Sequence, residues 1–244
     1  MTNNNAPSLV TQVSKGTVRR LRKLIGLPIR EPYMVQREID LLIEILRQLQ
    51  PQRCLEYGSG YSTLYFPSLL PDGATWFSVE HHEAWHQRIR EMNTNPQVTI
   101  EYASTAHPED GRNDYVLRPQ EHGPFDFILV DGVNREACIT MAHKLLKPDG
   151  LLVVHDANRR QYHGALTQFT YRLVMEDSRR TAGGMAFASH TRPIGTYFRL
   201  RHHARLWHIQ AILTNIGRFK YLPGRRAKPC RVFSPGQDKA DWQE

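Results

Sequence analysis

CLEYGSGYSTLYF, residues 54–66, passes from a short apolar run through two glycines into hydroxyls and aromatic rings. RCLEY reads as a buried strand, and beyond the glycines STLYFPSLL takes up helical spacing until PDG makes a turn. A strand that enters a helix through a glycine bend opens a βα unit. Gly58 and Gly60 let the backbone turn and approach a ligand with no Cβ in the way, while the following helix aims its free N–H groups at the same place.

The same alternation continues on both sides of this stretch. Upstream, Met34, Ile39, Leu42, Ile45 and Leu46 line one face of MVQREIDLLIEILRQL, which Pro51 ends. Downstream, ATWFSVE reads as strand, HEAWHQRIREM as helix and QVTIEYA as strand. Residues 104–124 are rich in turn formers and read as loop, either throughout or with one irregular helix. FDFILVDG is the most strand-like stretch; NREACITMAHKLL follows as helix, KPDG as turn and LLVVHD as strand. A helix is expected around 159–168, and RLVMED and GMAFASH are expected as strands forming an antiparallel pair at one edge. Strands apolar on both faces require helices above and below a parallel sheet. The expected fold is therefore doubly wound α/β, with a mostly parallel seven-stranded sheet and an antiparallel edge. The expected organisation is a basic N-terminal extension over 1–33, a catalytic domain over 34–190 and a basic C-terminal extension over 191–244. That last segment either packs on the domain or shapes the acceptor site. Leu206, Ile209, Leu213 and Ile216 would form its packing stripe.

The 244 residues suit one domain with appendages. No apolar run approaches the roughly 20 residues of a membrane span, and MTNNNAPSLV lacks a signal-peptide pattern, so a cytoplasmic location is expected. Cys54, Cys138 and Cys230 form no CxxC pair, which argues against a cysteine zinc site or a disulfide framework. The net charge of +8 sits at the ends: residues 1–30 hold six basic and no acidic residues, and residues 191–244 hold eleven basic and three acidic ones. Such ends suit an anionic partner such as phospholipid, an acidic glycan or nucleic acid; solvated tails are the plain alternative.

The bend departs from a dinucleotide fingerprint. GxGxxG needs a third glycine for close helix packing, but the series here runs Gly58, Ser59, Gly60, Tyr61, Ser62, Thr63. Glu56, two residues before the first glycine, would repel a pyrophosphate and attract a cation. S-adenosylmethionine carries an α-amino group and a sulfonium, so an acid suits it. Glu80 stands 22 residues past Gly58, at the end of the second strand, where a carboxylate can accept both hydroxyls of a ribose.

EYGSGYST followed by FSVEHH resembles the first two motifs of class I S-adenosylmethionine-dependent methyltransferases. FDFILVDG and LLVVHDANR extend the likeness toward an O-methyltransferase branch that includes catechol-type and glucuronoxylan methyltransferases, whose strand ends read VDG and HDxxR. The resemblance spans about residues 35–190 and implies a Rossmann-like methyltransferase fold. It implies that Glu56, Gly58, Ser59 and Gly60 contact the methionine part, with Ser62 and Thr63 at the helix start beside it. Glu80 would hold the ribose, and adenine would lie near Ala103 and Ser104.

Asp131 and Asp156 end two strands; if these are neighbours, both carboxylates edge one crevice and with Asn158 suit a divalent cation such as Mg²⁺. Metal-dependent catechol-type enzymes have the second Asp directly followed by Asn, whereas here Ala157 intervenes. The metal-free alternative makes His155 or Asp131 the general base. Asp131, His155 and Asp156 are thus the candidate catalytic residues. Arg135 and Arg159 suit an anionic acceptor or pairing with these acids. His82 and His86, four apart, suggest a metal pair without a third ligand, and Trp85 reads as packing. The expected reaction is methyl transfer to a hydroxyl of a small molecule or saccharide. An RNA methyltransferase or nucleic-acid-binding module using the basic ends is the rival, and a nicotinamide-dependent oxidoreductase is disfavoured by the glycine pattern.

Overall fold

Each buried strand needs a cover on both faces, and the order of elements along the chain supplies it. The structure, a computed structural model, describes residues 31–106, 113–176, 183–217 and 231–233. Helix α1 (Gln36–Leu49) precedes β1 (Arg53–Tyr57). Then follow α2 (Tyr61–Tyr65), β2 (Thr75–Glu80), α3 (Glu83–Met92), β3 (Val98–Tyr102), α4 (Asp114–Leu117) and β4 (Phe125–Val130). The second half comprises α5 (Arg135–Leu145), β5 (Leu146–His155), α6 (His163–Leu166), β6 (Tyr171–Met175), β7 (Met185–Ser189), α7 (Leu200–Gly217) and β8 (Arg231–Phe233). All but a few residues of the N-terminal extension, most of the segment after 217 including Cys230, and the loop 107–112 lie outside the described residues.

The strands lie in the order β3-β2-β1-β4-β5-β7-β6-β8. Strands β1 to β5 pair in parallel, and β7, β6 and β8 run antiparallel at one edge. The seven-stranded, mostly parallel sheet with an antiparallel edge is the expected one, and β8 extends that edge as a short eighth strand. Strand order reverses between β1 and β4, so a crevice opens beyond their carboxyl ends, where Gly58 and Asp131 stand.

Alternation along the strands feeds two cores. Leu55, Tyr57, Ile128 and Val130 pack with α5 on one face, while Cys54, Trp76, Phe127 and Leu129 pack with α1 on the other. KPDG does not end the pairing: the register jumps from Phe125↔Leu146 to Phe127↔Leu151, so residues 147–150 bulge within β5. Lys147 pins the bulge by an ion pair of 2.7 Å to Asp126.

Helix α7 departs from the expected stripe at Ile209, which is 41% exposed, whereas Leu206 is half-buried and the side chains of Leu213 and Ile216 lie outside the described ones; among the described side chains of the helix, His203 and Trp207 are the buried ones. The difference is one of phase. Arg37 of α1 stacks its guanidinium 4.3 Å from the Trp207 ring centroid, and Arg199 and His203 both reach Glu44 of α1, at 2.8 and 3.1 Å. The pairing with α1 therefore turns the 200/203/207 face inward. No described helix is long and apolar enough to cross a membrane.

Candidate active site

The glycine bend is set by a contact between two backbones. Gly58 sits at φ +94°, a region that favours glycine, and a Cβ there would stand 2.6 Å from the Cα of Gly132. Gly132 is equally hemmed in: its Cβ would overlap Tyr115 Oη and lie 3.0 Å from Gly58 Cα. The VDG turn after β4 and the bend after β1 thus interlock. Gly60 differs from expectation, since it is extended at φ −173° and has only Ser62 Oγ within reach of a Cβ, at 3.7 Å. Its missing side chain leaves the loop surface open rather than permitting a turn.

Glu56 does not face a ligand. It is fully buried, and its oxygens accept from Ser62 Oγ, from Thr63 Oγ1 at 2.6 Å and from Trp76 Nε1 at 2.9 Å. Burial pushes its carboxyl up to about 7 against the pull of these donors. Ser62 and Thr63 are likewise spent on Glu56, so the three support the bend from beneath. Thr63 occupies the place of the third fingerprint glycine and fills it with this contact. The sequence could not show this, because a strand residue's face depends on which strands flank it.

Glu80 lies where the sequence predicts, at the end of β2 and beside the bend. Its Oε1 accepts the N–H groups of His81 and His82 at 2.9 and 2.8 Å, and its Oε2 accepts Ser59 N–H at 3.0 Å and, more weakly, Ser59 Oγ at 3.3 Å. Trp85, read as packing, also braces the bend: its indole N–H donates to Ser59 O at 2.8 Å. His82 caps α3 by accepting Trp85 N–H, and His86 Nε2 lies 3.2 Å from Ile100 O, so these imidazoles serve structure and do not form a metal pair. Ser104 is turned onto its own loop, its Oγ donating to Ala106 O at 2.9 Å; the pairing of Glu80 with Tyr102 brings this strand end beside Glu80.

The ends of β4 and β5 carry the densest charge. Val130 pairs with Val154, which sets Asp131 opposite His155. His155 Nδ1 is 2.8 Å from Asp131 Oδ1, and its Nε2 is 3.2 Å from Glu38 Oε2 of α1. Arg135 donates to Asp131 Oδ1 at 3.1 Å, to Asp131 O at 3.0 Å, to Gly132 O at 2.8 Å and to His155 O, so its guanidinium ties the two strand ends together. It is not open to an anionic acceptor. Asp156, at φ +58°, accepts Gly183 N–H, and its Oδ2 is 3.7 Å from Arg135.

Burial opposes charge on His155, but Asp131 and Glu38 outweigh it and raise the ring to about 10. With both nitrogens held by carboxylates and the residue only 4% exposed, His155 is not the general base considered above. Burial also works to raise the Asp131 carboxyl, yet the His155 charge and hydrogen bond and the Arg135 guanidinium bring it below the usual range. Asp131 keeps one oxygen open: among the described residues nothing pairs with Oδ2.

Among the described residues, Asp131, His155 and Asp156 are the one group with potential ligand atoms within 4.8 Å of one another. They do not fit a divalent cation. The Arg135 guanidinium lies within ion-pair reach of both acids, and the charged His155 ring already holds Asp131, so a metal would meet two cations in place. Asn158, expected as a third ligand, packs its Oδ1 against Gly184.

A cavity of about 710 Å³ is lined in part by Gly132, Arg135, Asn113, Asn134, Arg159 and Tyr162; it reaches the neighbours of Asp131, but Asp131, His155 and Asp156 do not line it. Arg159 stands on its rim and donates to Tyr162 Oη at 3.1 Å. Glu38, Gly132, Tyr115 and the Gly183–Gly184 pair, which receives the loop after β5, were not singled out as site residues by sequence reasoning. Of these, the Gly-Gly pair and Gly132, in the VDG strand end, carried a local signal.

A doubly wound sheet in this strand order, with its glycine bend at the switch point, is a Rossmann-like methyltransferase fold. The comparisons agree: residues 55–157 match a family model described as Methyltransferase domain. No curated protein matches significantly. An O-methyltransferase from Bacillus cereus, crystallised with SAH, is similar in fold at a TM-score of 0.53 and 18% identity, covering 76% of this chain and 93% of its own. A methyltransferase from Geobacter sulfurreducens is similar at a TM-score of 0.51 and 13% identity, covering 76% and 92%. Residues 55–157 thus carry the match to a methyltransferase domain, and the described residues share their fold with these enzymes.

Proposed function

We propose that the protein transfers a methyl group from S-adenosylmethionine to a hydroxyl oxygen of a small molecule or saccharide, without a metal ion. The observation that supports this reading best is the juxtaposition at the switch point: the Gly58–Gly132 contact, Glu80 clamped to Ser59, and Asp131 one residue before Gly132, which lines a cavity of small-molecule size. Bound there, the donor supplies a methyl group on positively charged sulfur, activated for in-line displacement. The loop 58–60 would hold its methionine part. Glu80 would take the ribose hydroxyls, giving up the long Ser59 Oγ contact.

Asp131 stays ionised because the His155 and Arg135 charges favour its carboxylate. Its Oδ2 accepts the hydrogen bond of the acceptor hydroxyl, aims the oxygen lone pair and takes up the proton on its way to solvent. Positioning of this kind is the main contribution such a site can make. The cavity's polar lining and Arg159 at its rim favour a polar acceptor, and an anionic one is compatible. The domain boundaries at residues 34 and 190, and a role of the basic ends in presenting the acceptor, belong to the same proposal.

The test has two parts. Calorimetry with S-adenosylhomocysteine should show binding that Glu80→Ala weakens about 100-fold, the order expected for two hydrogen bonds to a charged group. Transfer of labelled methyl to pools of saccharides, phenolics and RNA should favour one of the first two and be unchanged by EDTA. Absence of binding would refute the donor, and loss of transfer in EDTA would refute the metal-free reading.

A further inference from the structure

We propose that Glu38, on α1, is a positioning residue that orients Asp131 through His155; the inference rests on the reading of Asp131 as the group that meets the acceptor. Glu38 lies 93 residues before Asp131 in sequence, and no motif points to it. Yet its carboxylate is fully buried, and Oε2 accepts Val35 N–H at 3.0 Å while standing 3.2 Å from His155 Nε2. The other ring nitrogen is 2.8 Å from Asp131 Oδ1. One continuous path therefore runs from the start of α1 to the open edge of the site.

A helix-capping role alone does not account for this arrangement. A glutamate at the third position of a helix needs only the cap N–H, and it can make that bond from the surface, in water. A wholly buried carboxylate is costly unless a charged partner compensates it, and one such partner among the described residues is the imidazole that grips Asp131. Pinned at both nitrogens, the ring has one orientation. It fixes Oδ1 of Asp131 together with Arg135, whose guanidinium is 3.1 Å away, and so leaves Oδ2 as the oxygen for the acceptor. Asp156 Oδ1, 3.9 Å from the same ring nitrogen, is too far to replace either carboxylate.

Glu38→Gln keeps size and a cap acceptor and removes the charge. With the acceptor found in the transfer screen, this variant should lose about tenfold in kcat, while its affinity for S-adenosylhomocysteine stays close to native; its melting temperature falls, because the buried pair loses one charge. Long-range proton–nitrogen NMR of the His155 ring should show both nitrogen signals displaced, the Asp131-side Nδ1 included. Native kcat, or an Nδ1 signal unmoved by the substitution, would overturn the proposal, as would a fall in S-adenosylhomocysteine affinity as large as the fall in rate. If Glu38→Gln does not fold, Glu38→Asp, which keeps the charge but withdraws it by one carbon, is judged by the same readouts. Failure of the native protein to bind S-adenosylhomocysteine would instead refute the donor assignment, and the ring signals would still decide the role of Glu38.

Discussion

At the scale of single residues, the site depends on groups that sequence patterning presents as interchangeable. Gly58 and Gly60 look alike in YGSGY, but only Gly58 has a left-handed φ and a neighbouring backbone that a side chain would strike. Its counterpart, Gly132, reads as an ordinary Asp-Gly turn. Gly132→Ala would drive a methyl group into Tyr115 and toward the Gly58 backbone, and overpacking of this kind costs about 1–3 kcal/mol. Chemical denaturation should show that loss, and binding of S-adenosylhomocysteine should weaken with it because the bend must move. Gly60→Ala meets no such obstacle and should leave stability near native. Glu56 teaches the converse lesson. Its position before the glycines suggested a ligand contact, and the flanking strands instead made it an internal acceptor for Ser62, Thr63 and Trp76.

At the scale of elements, the periodicities located nearly every strand and long helix, because apolar runs bounded by turn formers have few other uses. They were least reliable where packing partners set the outcome. KPDG reads as a turn, but pairing of Leu146 with Phe125 drew it into β5 as a bulge. On α7 the expected stripe fails at Ile209, because docking on α1 buries Trp207 beneath Arg37 while Arg199 and His203 engage Glu44. Trp207→Ala should therefore destabilise the protein by about 3–5 kcal/mol, the range for a large aromatic removed from a core. Ile209→Ala, on an exposed position of the same helix, should change the unfolding midpoint little. Equal effects of the two would mean that α7 does not dock as described.

For the molecule as a whole, charge pairs tie α1 to both α7 and the candidate site, and each pair gives stability its own pH window. His155 titrates near 10 when folded against an ordinary value of 6.5, so its contribution is full below 6.5 and is lost as pH rises through 10. Glu44 is held down to about 2 by Arg199 and His203 against the cost of its burial; its contribution is present above 4.5 and lost as pH falls through 2. Unfolding midpoints across pH, compared between native protein and His155→Gln, should converge toward the alkaline end. A difference independent of pH would show that the ring is uncharged.

By itself the sequence determined the doubly wound sheet, its antiparallel edge and the strand ends where ligands gather. Those follow from side-chain periodicity and glycine placement, which act locally and leave a local trace. Only the tertiary structure decided which acids face the crevice. It sent Glu56 inward, brought Glu38 under His155, and put the Arg135 guanidinium within ion-pair reach of both Asp131 and Asp156. The physical reason is that a carboxylate's role depends on the donors and charges within a few ångströms of it, and folding draws those from segments far apart along the chain.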